Sequence, residues 1–489
     1  MIWKKEKMLS KKPFYITTTL PYVNSDPHIG HALEFVRADV IARFKRLEGY
    51  DVFFNTGTDE HGANIYANAI KEKMEVEEYV DKNAEKFKNL VQVLNMEDAH
   101  FIRTTSSNHI DAAIEIWNRC NSAGDIYKKN YKVKYCLGCE LEKTDSELVD
   151  EKCPIHPNRD IEIREEENYF FKWSNYQEKL LDYYKSNPSF VVPDFRFNEI
   201  RAFVERGLND FSISRLKTKM PWGVPVPGDE EHVMYVWFDA LTSYISTLGW
   251  PKSGDFEKYW VQDGKREVVQ YCGKDNIRQQ SAMWQAMLMS AGLPNSTNIV
   301  IDGFIISGGQ KMSKSIGNVI NPLSVIEAYK GVTDFPEDVL RFILLHEVPS
   351  FEDGDLTMES IKKAYTAYLA NGIGNLTSRI MKMVTSNKIE YKKKEAGKKK
   401  EIVGFDTNAA IKEIMHDIGL IDEYIATNEP FKVIKTDAEK AKKMIEHCLV
   451  SLEAVAENLS VFLPRTGEKV LECIRENKMP EKPLFARLP

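Results

Sequence analysis

The chain opens with a strand-like run, a histidine-bearing loop, a helix and a second strand-like run, and that order constrains the fold more than any other feature. Phe14-Tyr15-Ile16-Thr17-Thr18-Thr19-Leu20 is β-branched and aromatic and ends at Pro21, Leu33 to Arg43 carries apolar residues at helical spacing, and Asp51-Val52-Phe53-Phe54-Asn55-Thr56-Gly57 is strand-like again. A strand-helix-strand unit joins parallel neighbours, so the fold class is α/β, built on a doubly wound parallel sheet. Ligands of such sheets bind beyond the C-terminal ends of the strands. Pro27-His28-Ile29-Gly30-His31 falls there, on a loop feeding the helix N-terminus.

Strand-like runs resume at Val233–Phe238, Glu267–Cys272 and Asn298–Asp302. Between the two halves, from about Asp125 to Asp229, the pattern is irregular and holds a cysteine group and the proline-rich Pro221-Trp222-Gly223-Val224-Pro225-Val226-Pro227. Beyond about Ser360 strand signals stop, and Tyr365, Leu369, Leu376, Ile380, Ile411, Ile414, Ile418 and Ile425 recur at helical spacing. The expected organisation is a two-part sheet domain (1–124 and 228–310), an insertion (125–227), a linking segment (311–360) and a helical bundle (361–489).

The net charge of −7 argues against a general nucleic-acid coat, but the charge is uneven. Residues 361–489 carry 23 Lys and Arg against 18 Asp and Glu, which leaves the bundle as the place where a polyanion would dock. Its run Tyr391-Lys392-Lys393-Lys394-Glu395-Ala396-Gly397-Lys398-Lys399-Lys400 is expected to be a solvated loop. Apolar runs are short and interrupted, and Met1-Ile2-Trp3-Lys4-Lys5 leads into polar residues rather than a signal core, so a cytoplasmic chain without a membrane span is expected.

Cys136-x-x-Cys139 and Cys153-x-x-His156 have the two-knuckle spacing of a tetrahedral zinc site, and an odd total of seven cysteines points to reduced thiols rather than disulfides. Such a closed set of four soft donors suits a structural Zn(2+).

A helix N-terminus presents unpaired N–H groups and the positive end of the helix dipole, so His28, Gly30 and His31 suit a nucleotide. No G-x-x-x-x-G-K-[ST] loop or kinase signature set accompanies them, which excludes ordinary γ-phosphoryl transfer. Far downstream stands Lys311-Met312-Ser313-Lys314-Ser315, with Gly308-Gly309 before it and Gly317 after it. Such a loop folds over a triphosphate, and its ammonium groups, Lys314 ahead of Lys311, neutralise charge on the α-phosphate and pyrophosphate. Attack by a carboxylate on the α-phosphate needs positioning and charge more than a base, so the implied product is an acyl-adenylate.

The ordered pair His28-Ile29-Gly30-His31 and Lys311-Met312-Ser313-Lys314-Ser315 resembles the class I aminoacyl-tRNA synthetases. Leu20-Pro21-Tyr22-Val23-Asn24, Gly57-Thr58-Asp59-Glu60-His61-Gly62, Tyr235-Val236-Trp237-Phe238-Asp239-Ala240, Gly273-Lys274-Asp275 and Gly374-Asn375-Leu376-Thr377-Ser378-Arg379 extend the likeness to the methionyl branch. The resemblance implies a Rossmann-like catalytic domain, a zinc-knuckle insertion and an α-helical anticodon-binding bundle. It implies ATP with Mg(2+), L-methionine and tRNA(Met) as partners, and transfer of methionyl to the tRNA 3′ end. For ATP it adds Thr19, Gly273 and Asp275 to the histidine loop and Lys314. It places methionine between Leu20, Tyr22, Trp237, Ala240, Leu241 and Tyr244, with Asp59 on its ammonium group. Anticodon bases are expected at Asn375 and Arg379, four residues apart on one helix face, and at Phe431, which stands where the family often has tryptophan.

One departure stands in the methionine pocket. Where members often carry Phe-His, this chain reads Asn276-Ile277-Arg278-Gln279-Gln280, so Gln280 replaces an expected histidine. Ligases for leucine, isoleucine or valine share the nucleotide motifs but carry larger editing insertions, whereas the insertion here is only about a hundred residues. A binding-only protein would need neither the histidines nor Lys314. The chain also lacks the additional C-terminal domain of dimeric members, so a monomer is expected.

Overall fold

The structure, a computed structural model, describes residues 11–96, 98–139, 141–143, 148–252, 254–261, 266–312, 319–391 and 399–488. Its centre is a six-stranded sheet of β1 (Pro13–Thr18), β2 (Asp51–Thr58), β3 (Ala99–Arg103), β4 (Val191–Val192), β5 (Val268–Gly273) and β6 (Asn298–Asp302). The spatial order is β3-β2-β1-β5-β6-β4 and every neighbouring pair is parallel. The chain runs outward from β1 on one side, then returns to start β5 on the other, so the switch point lies between β1 and β5. Successive residues feed opposite faces: Phe14, Ile16, Phe54, Val269 and Tyr271 enter one core, and Tyr15, Phe53, Val268 and Cys272 enter the other. A sheet buried on both faces needs strands apolar at nearly every position, which these are.

The first core runs on without a seam into the C-terminal helices. α1 (Ile29–Leu47), α2 (Pro336–His346), α3 (Asn375–Ser386), α4 (Thr407–Asn428), α5 (Ala438–Phe462) and α6 (Pro464–Arg475) all contribute to it. Their starts follow local chemistry. Asp406 accepts from Ala409 N at 2.9 Å and Asp437 from Lys440 N at 3.0 Å, while α2 and α6 begin on Pro336 and Pro464.

Two buried arginines lock this arrangement. Arg37 of α1 bonds Asp302 at the end of β6 at 2.8 Å and the carbonyls of Val348, Pro349 and Ser350 at 2.8, 2.7 and 3.0 Å. Arg341 of α2 meets Asp39 of α1 at 2.7 Å and the Phe462 carbonyl that ends α5 at 2.8 Å.

Two expectations change. The run Val233–Phe238 is not one strand: Asp229–Met234 is extended, and Val236–Ala240 is helical, because Phe238 N and Asp239 N turn back onto the Tyr235 carbonyl at 2.9 and 3.2 Å. A short apolar run cannot distinguish a buried strand from a buried helical turn. The segment 125–227, expected as an insertion, supplies β4 to the sheet edge, where Val191 and Val192 pair with Ile299 and Val300 of β6. Its first part is a long hairpin of Ile126–Cys136 against Ile161–Phe171, extended by Phe211–Ser212 and joined to the second core through Ile126 and Phe171. No helix among the described residues is long and apolar enough to cross a membrane.

Burial pushes the Asp338 carboxyl in α2 up to about 6 from an ordinary 3.8, although Thr466 donates to it twice at 2.7 Å and Arg341 lies near. The folded chain therefore binds this proton more tightly than the unfolded chain. The stabilisation is complete below about pH 4 and is lost as pH rises through about 6. Asp338→Asn keeps an acceptor for Thr466, so its urea midpoint should lack the decline that the parent shows between pH 4 and 6; identical pH profiles would contradict this assignment.

Candidate active site and metal centre

The switch point is furnished from three segments. His28 is the residue immediately before α1, and Gly30 and His31 lie in its first turn rather than on the preceding loop. The two imidazoles stack with centroids 3.6 Å apart and planes at 15°, and His31 meets the edge of Phe87. A Cβ on Gly30 would lie 3.1 Å from the His28 ring, so the glycine makes room for that stack. His28 N donates to His31 Nδ1 at 3.2 Å. An accepting Nδ1 leaves the ring proton on Nε2, and burial, with His28 beside it, holds the His31 pKa well below 6.5. His31 is thus a neutral donor aimed by its own helix.

Across the switch point, Gly273 ends β5, and Asp275 folds back so that a Cβ on Gly273 would lie 3.0 Å from Asp275 Oδ1. Thr19, just past β1, donates its N–H to Glu34 Oε1 at 2.6 Å. Burial, then Asp302 and Asp275, raise the Glu34 pKa well above 4.5. Glu34 was not singled out from the sequence. It sits one turn beyond His31 on α1, and helical spacing was the only signal that could have marked it.

The lysine motif leaves a hairpin in which Ile305–Ser307 pairs with Gln310–Lys311. Gly308 and Gly309 turn at φ of 62° and 75°, and their N–H groups bond the Asp355 carboxylate at 2.8 and 3.0 Å. Ser313 to Asn318, with Lys314, lie outside the described residues, as does the Lys311 side chain. Just after these residues, the Ile320 carbonyl accepts from Ile29 N at 3.2 Å, in the first turn of α1 beside His28.

The expected methionine residues come from two places, the segments that follow β1 and β2 and the helical turns after Tyr235. Tyr22 and Asp59 pair as an isolated parallel bridge, and Leu20 and Asp59 are each 7% exposed. Trp237 and Ala240 lie on the helical turn Val236–Ala240, Leu241 follows it, and Tyr244 lies on the next turn. Between Trp237 and Ala240, Asp239 is wholly buried, with Oδ2 2.7 Å from His61 Nδ1 and Oδ1 2.7 Å from His109 Nε2. Burial alone would raise its pKa, but the two imidazoles override burial and hold it at about 2. This bridge ties the loop bearing Asp59 to the turn bearing Trp237. Gln280 is fully buried and donates to the Tyr244 hydroxyl.

Cys136, Cys139, Cys153 and His156 converge at the tip of the long hairpin, their ligand atoms all within 4.8 Å of one another. Cys139 Sγ is 3.2 Å from His156 Nδ1 and 3.4 Å from Cys153 Sγ. Three thiols and one imidazole converging this closely fit a tetrahedral zinc ion. Gly138 is part of the cradle, since a Cβ there would lie 2.5 Å from the His156 ring.

In the bundle, Asn375 is exposed on α3, Arg379 one turn on pairs with Asp422 of α4, and Phe431 is 45% exposed rather than a core contact. Of the lysine-rich run, 392–398 lie outside the described residues, and Lys399 and Lys400 bond the Leu47 carbonyl and Asp417 at 2.8 and 2.9 Å.

A parallel sheet with a histidine pair at the first helix and a glycine-aspartate turn across the switch point defines a class I tRNA synthetase core. The family model for class I tRNA synthetases (M) matches residues 14–160 and 138–381. Methionine–tRNA ligases of Brucella suis and Rhizobium meliloti are 38% and 37% identical to the chain, over 95% and 96% of it and 92% of each relative. The solved Mycobacterium tuberculosis methionyl-tRNA synthetase in complex with methionyl-adenylate superposes with a TM-score of 0.85 at 34% identity, covering 98% of both chains. Its apo form gives 0.80 at 31% identity. The chain belongs to the methionine–tRNA ligase family.

Two outcomes test this geometry. Asp239→Asn cannot accept from both imidazoles, and leaving one buried N–H unpaired should cost about 1–3 kcal/mol in urea unfolding; an unchanged midpoint would remove the bridge from the account. Gly138→Ala should lower the zinc content of purified protein well below one equivalent by elemental analysis, with full zinc retention counting against the cradle.

Proposed function

We propose that this chain activates L-methionine with ATP and charges tRNA(Met), acting as a cytoplasmic monomer. One observation carries the reading: His28, Gly30 and His31 start α1 on one side of the β1–β5 switch point and Gly273 and Asp275 end β5 on the other, while the segment after the lysine motif returns to the first turn of α1 through the Ile320 carbonyl. The solved Mycobacterium tuberculosis relative carries methionyl-adenylate.

In the first step a carboxylate oxygen of methionine attacks the α-phosphorus, the bond to the bridging oxygen breaks, and pyrophosphate leaves. His31 Nε2–H donates to a phosphate oxygen without bringing a charge that would titrate, and the α1 N-terminus adds its dipole. His28 packs over the His31 ring and holds it in place. Thr19, Gly30, Gly273 and Asp275 position the nucleoside, with backbone able to approach closely at the two glycines. Lys314, supported by Lys311, neutralises the charge that builds on pyrophosphate. Mg(2+) arriving with ATP supplies further charge neutralisation on the phosphates.

Methionine lies among Leu20, Tyr22, Trp237, Ala240, Leu241, Tyr244 and Gln280. Asp59, held in place by the bridge to Tyr22, takes its ammonium group. In the second step a hydroxyl of the terminal adenosine of tRNA attacks the activated carbonyl and AMP leaves. The anticodon is read at Asn375, Arg379 and Phe431, where Arg379 exchanges Asp422 for a base and Phe431 offers a ring for stacking. Zinc at Cys136, Cys139, Cys153 and His156 staples the hairpin tip and takes no part in the chemistry.

Pyrophosphate exchange into ATP should be supported by methionine and not by leucine, isoleucine or valine; exchange with leucine instead would overturn the reading. Lys314→Ala should lower the exchange rate by about 10²- to 10³-fold, the effect of one lost transition-state charge, with tRNA affinity by filter binding nearly unchanged. A large loss of tRNA affinity would remove Lys314 from the phosphate site. Light scattering of the eluted protein should give the mass of one chain.

A further inference from the structure

The proline-rich run that closes the 125–227 segment reaches back to the loop that bears Asp59. Its tryptophan, Trp222, packs against the first core. The indole N–H donates to the Glu60 carbonyl at 2.6 Å, the Trp222 carbonyl accepts from Gly62 N at 3.4 Å, and the ring lies 5.6 Å from the His61 ring. A residue 162 positions downstream of Glu60 thus grips the three residues that follow Asp59.

Glu60 itself is held from every side. It is 0% exposed, and each carboxylate oxygen takes two donors: Oε1 from Thr58 Oγ1 at 2.6 Å and Arg103 Nε at 2.7 Å, Oε2 from Arg103 Nη2 at 3.0 Å and from the Thr105 hydroxyl. A carboxylate stays charged in such burial only where charge-assisted bonds meet it. Glu60 N donates to Thr104 Oγ1 at 2.9 Å, so the Trp222 bond leaves no polar atom of Glu60 unpaired. Asp59 precedes it in extended backbone, bridged to Tyr22, with its N donating to the Pro21 carbonyl at 2.9 Å and its carbonyl accepting from Val23 N at 3.1 Å. Successive side chains of extended backbone point to opposite faces. Glu60, which meets Thr58 two residues back, therefore turns into the clamp, and Asp59 turns away from it.

We infer that Glu60 and Trp222 are positioning residues that set the Asp59 carboxylate for the substrate's ammonium group. On one side the Asp59 backbone is fixed by Pro21 and Val23, and on the other by the Glu60 backbone, whose N–H and carbonyl are bonded to Thr104 and Trp222. An ion pair in a shielded site weakens as soon as its partners separate, because little water is there to screen or replace it. A small rotation of the loop therefore costs ammonium binding while leaving the walls around the thioether in place. This rests on the methionine pocket proposed above. It adds that ammonium recognition is complete only when the run bearing Trp222, which returns the chain from the zinc hairpin to the sheet domain, is seated.

The test compares two ligands that differ only in the ammonium group, L-methioninol and its deaminated counterpart, by their dissociation constants in NMR titrations of the full chain. The parent, Asp59→Asn, Trp222→Phe and Glu60→Gln are titrated. Trp222→Phe keeps a ring and removes the N–H, and Glu60→Gln keeps the shape and gives Arg103 one oxygen fewer. The parent should prefer methioninol. Both positioning variants should lower that preference about 3- to 10-fold, the worth of one neutral hydrogen bond, toward the Asp59→Asn value, with the deaminated ligand bound as tightly as before. Should Glu60→Gln fail to fold, Trp222→Phe alone decides. Equal weakening of both ligands in Trp222→Phe would show a merely structural role and overturn the inference. An unchanged preference in Trp222→Phe beside a lowered one in Asp59→Asn overturns the positioning alone. An unchanged preference in Asp59→Asn overturns it together with the assignment of Asp59 to the ammonium group.

Discussion

The structure hangs on two opposite charges buried in one helix. Arg37 and Asp39 of α1 are 0% and 2% exposed, and a buried charge without a partner costs several kcal/mol, so each must meet its counter-charge wherever α1 is placed. Arg37 finds Asp302 and three carbonyls of the segment after α2; Asp39 finds Arg341 and Arg43. These partners come from the sheet end, from α2 and from the next turn of α1. Together they leave α1 one position, and its first turn carries His28 and His31. His28 and His31 are therefore aligned by charges two to three turns away.

The same helix joins the sheet to the C-terminal bundle. Because one apolar core covers a sheet face and the bundle helices alike, Asn375 and Arg379 are carried on a body that is continuous with the site at the switch point. A conformational signal between the two ends would have α1, α2 and the Arg341–Asp39 pair in its path. Around the site itself, support comes from Asp239 between two histidines, Asp355 under the glycine turn, and Gly138 beneath His156. Each fixes the geometry of a residue whose chemistry the sequence already advertised.

Much of the site was legible in the chain because its signals are local. A His-x-Gly-His at a strand-to-helix junction, two knuckles of metal donors and a glycine-flanked lysine run are all short segments whose spacing states their chemistry. The supporting residues were not legible in the same way. Asp239 reaches His61 and His109 across 178 and 130 positions, and Arg341 reaches Leu94 across 247. An isolated Asp or Arg in a sequence reads as a surface charge until its partner is known. The run Val233–Phe238 differs from its expected strand because a short buried apolar run fits a strand or a helical turn equally, and the Tyr235 carbonyl takes the N–H groups of Phe238 and Asp239.

The sequence by itself determined the alternation that makes a parallel sheet, the grouping of donors suited to nucleotide and metal, and the helical character of the C-terminal region. These follow from periodicity and residue chemistry, which act over a few neighbours. Tertiary structure alone decided that Val191 and Val192 close the sheet edge and that bundle and sheet share one core. Those outcomes depend on which distant groups are buried together, because a buried polar atom must be paired and its partner is chosen by the fold.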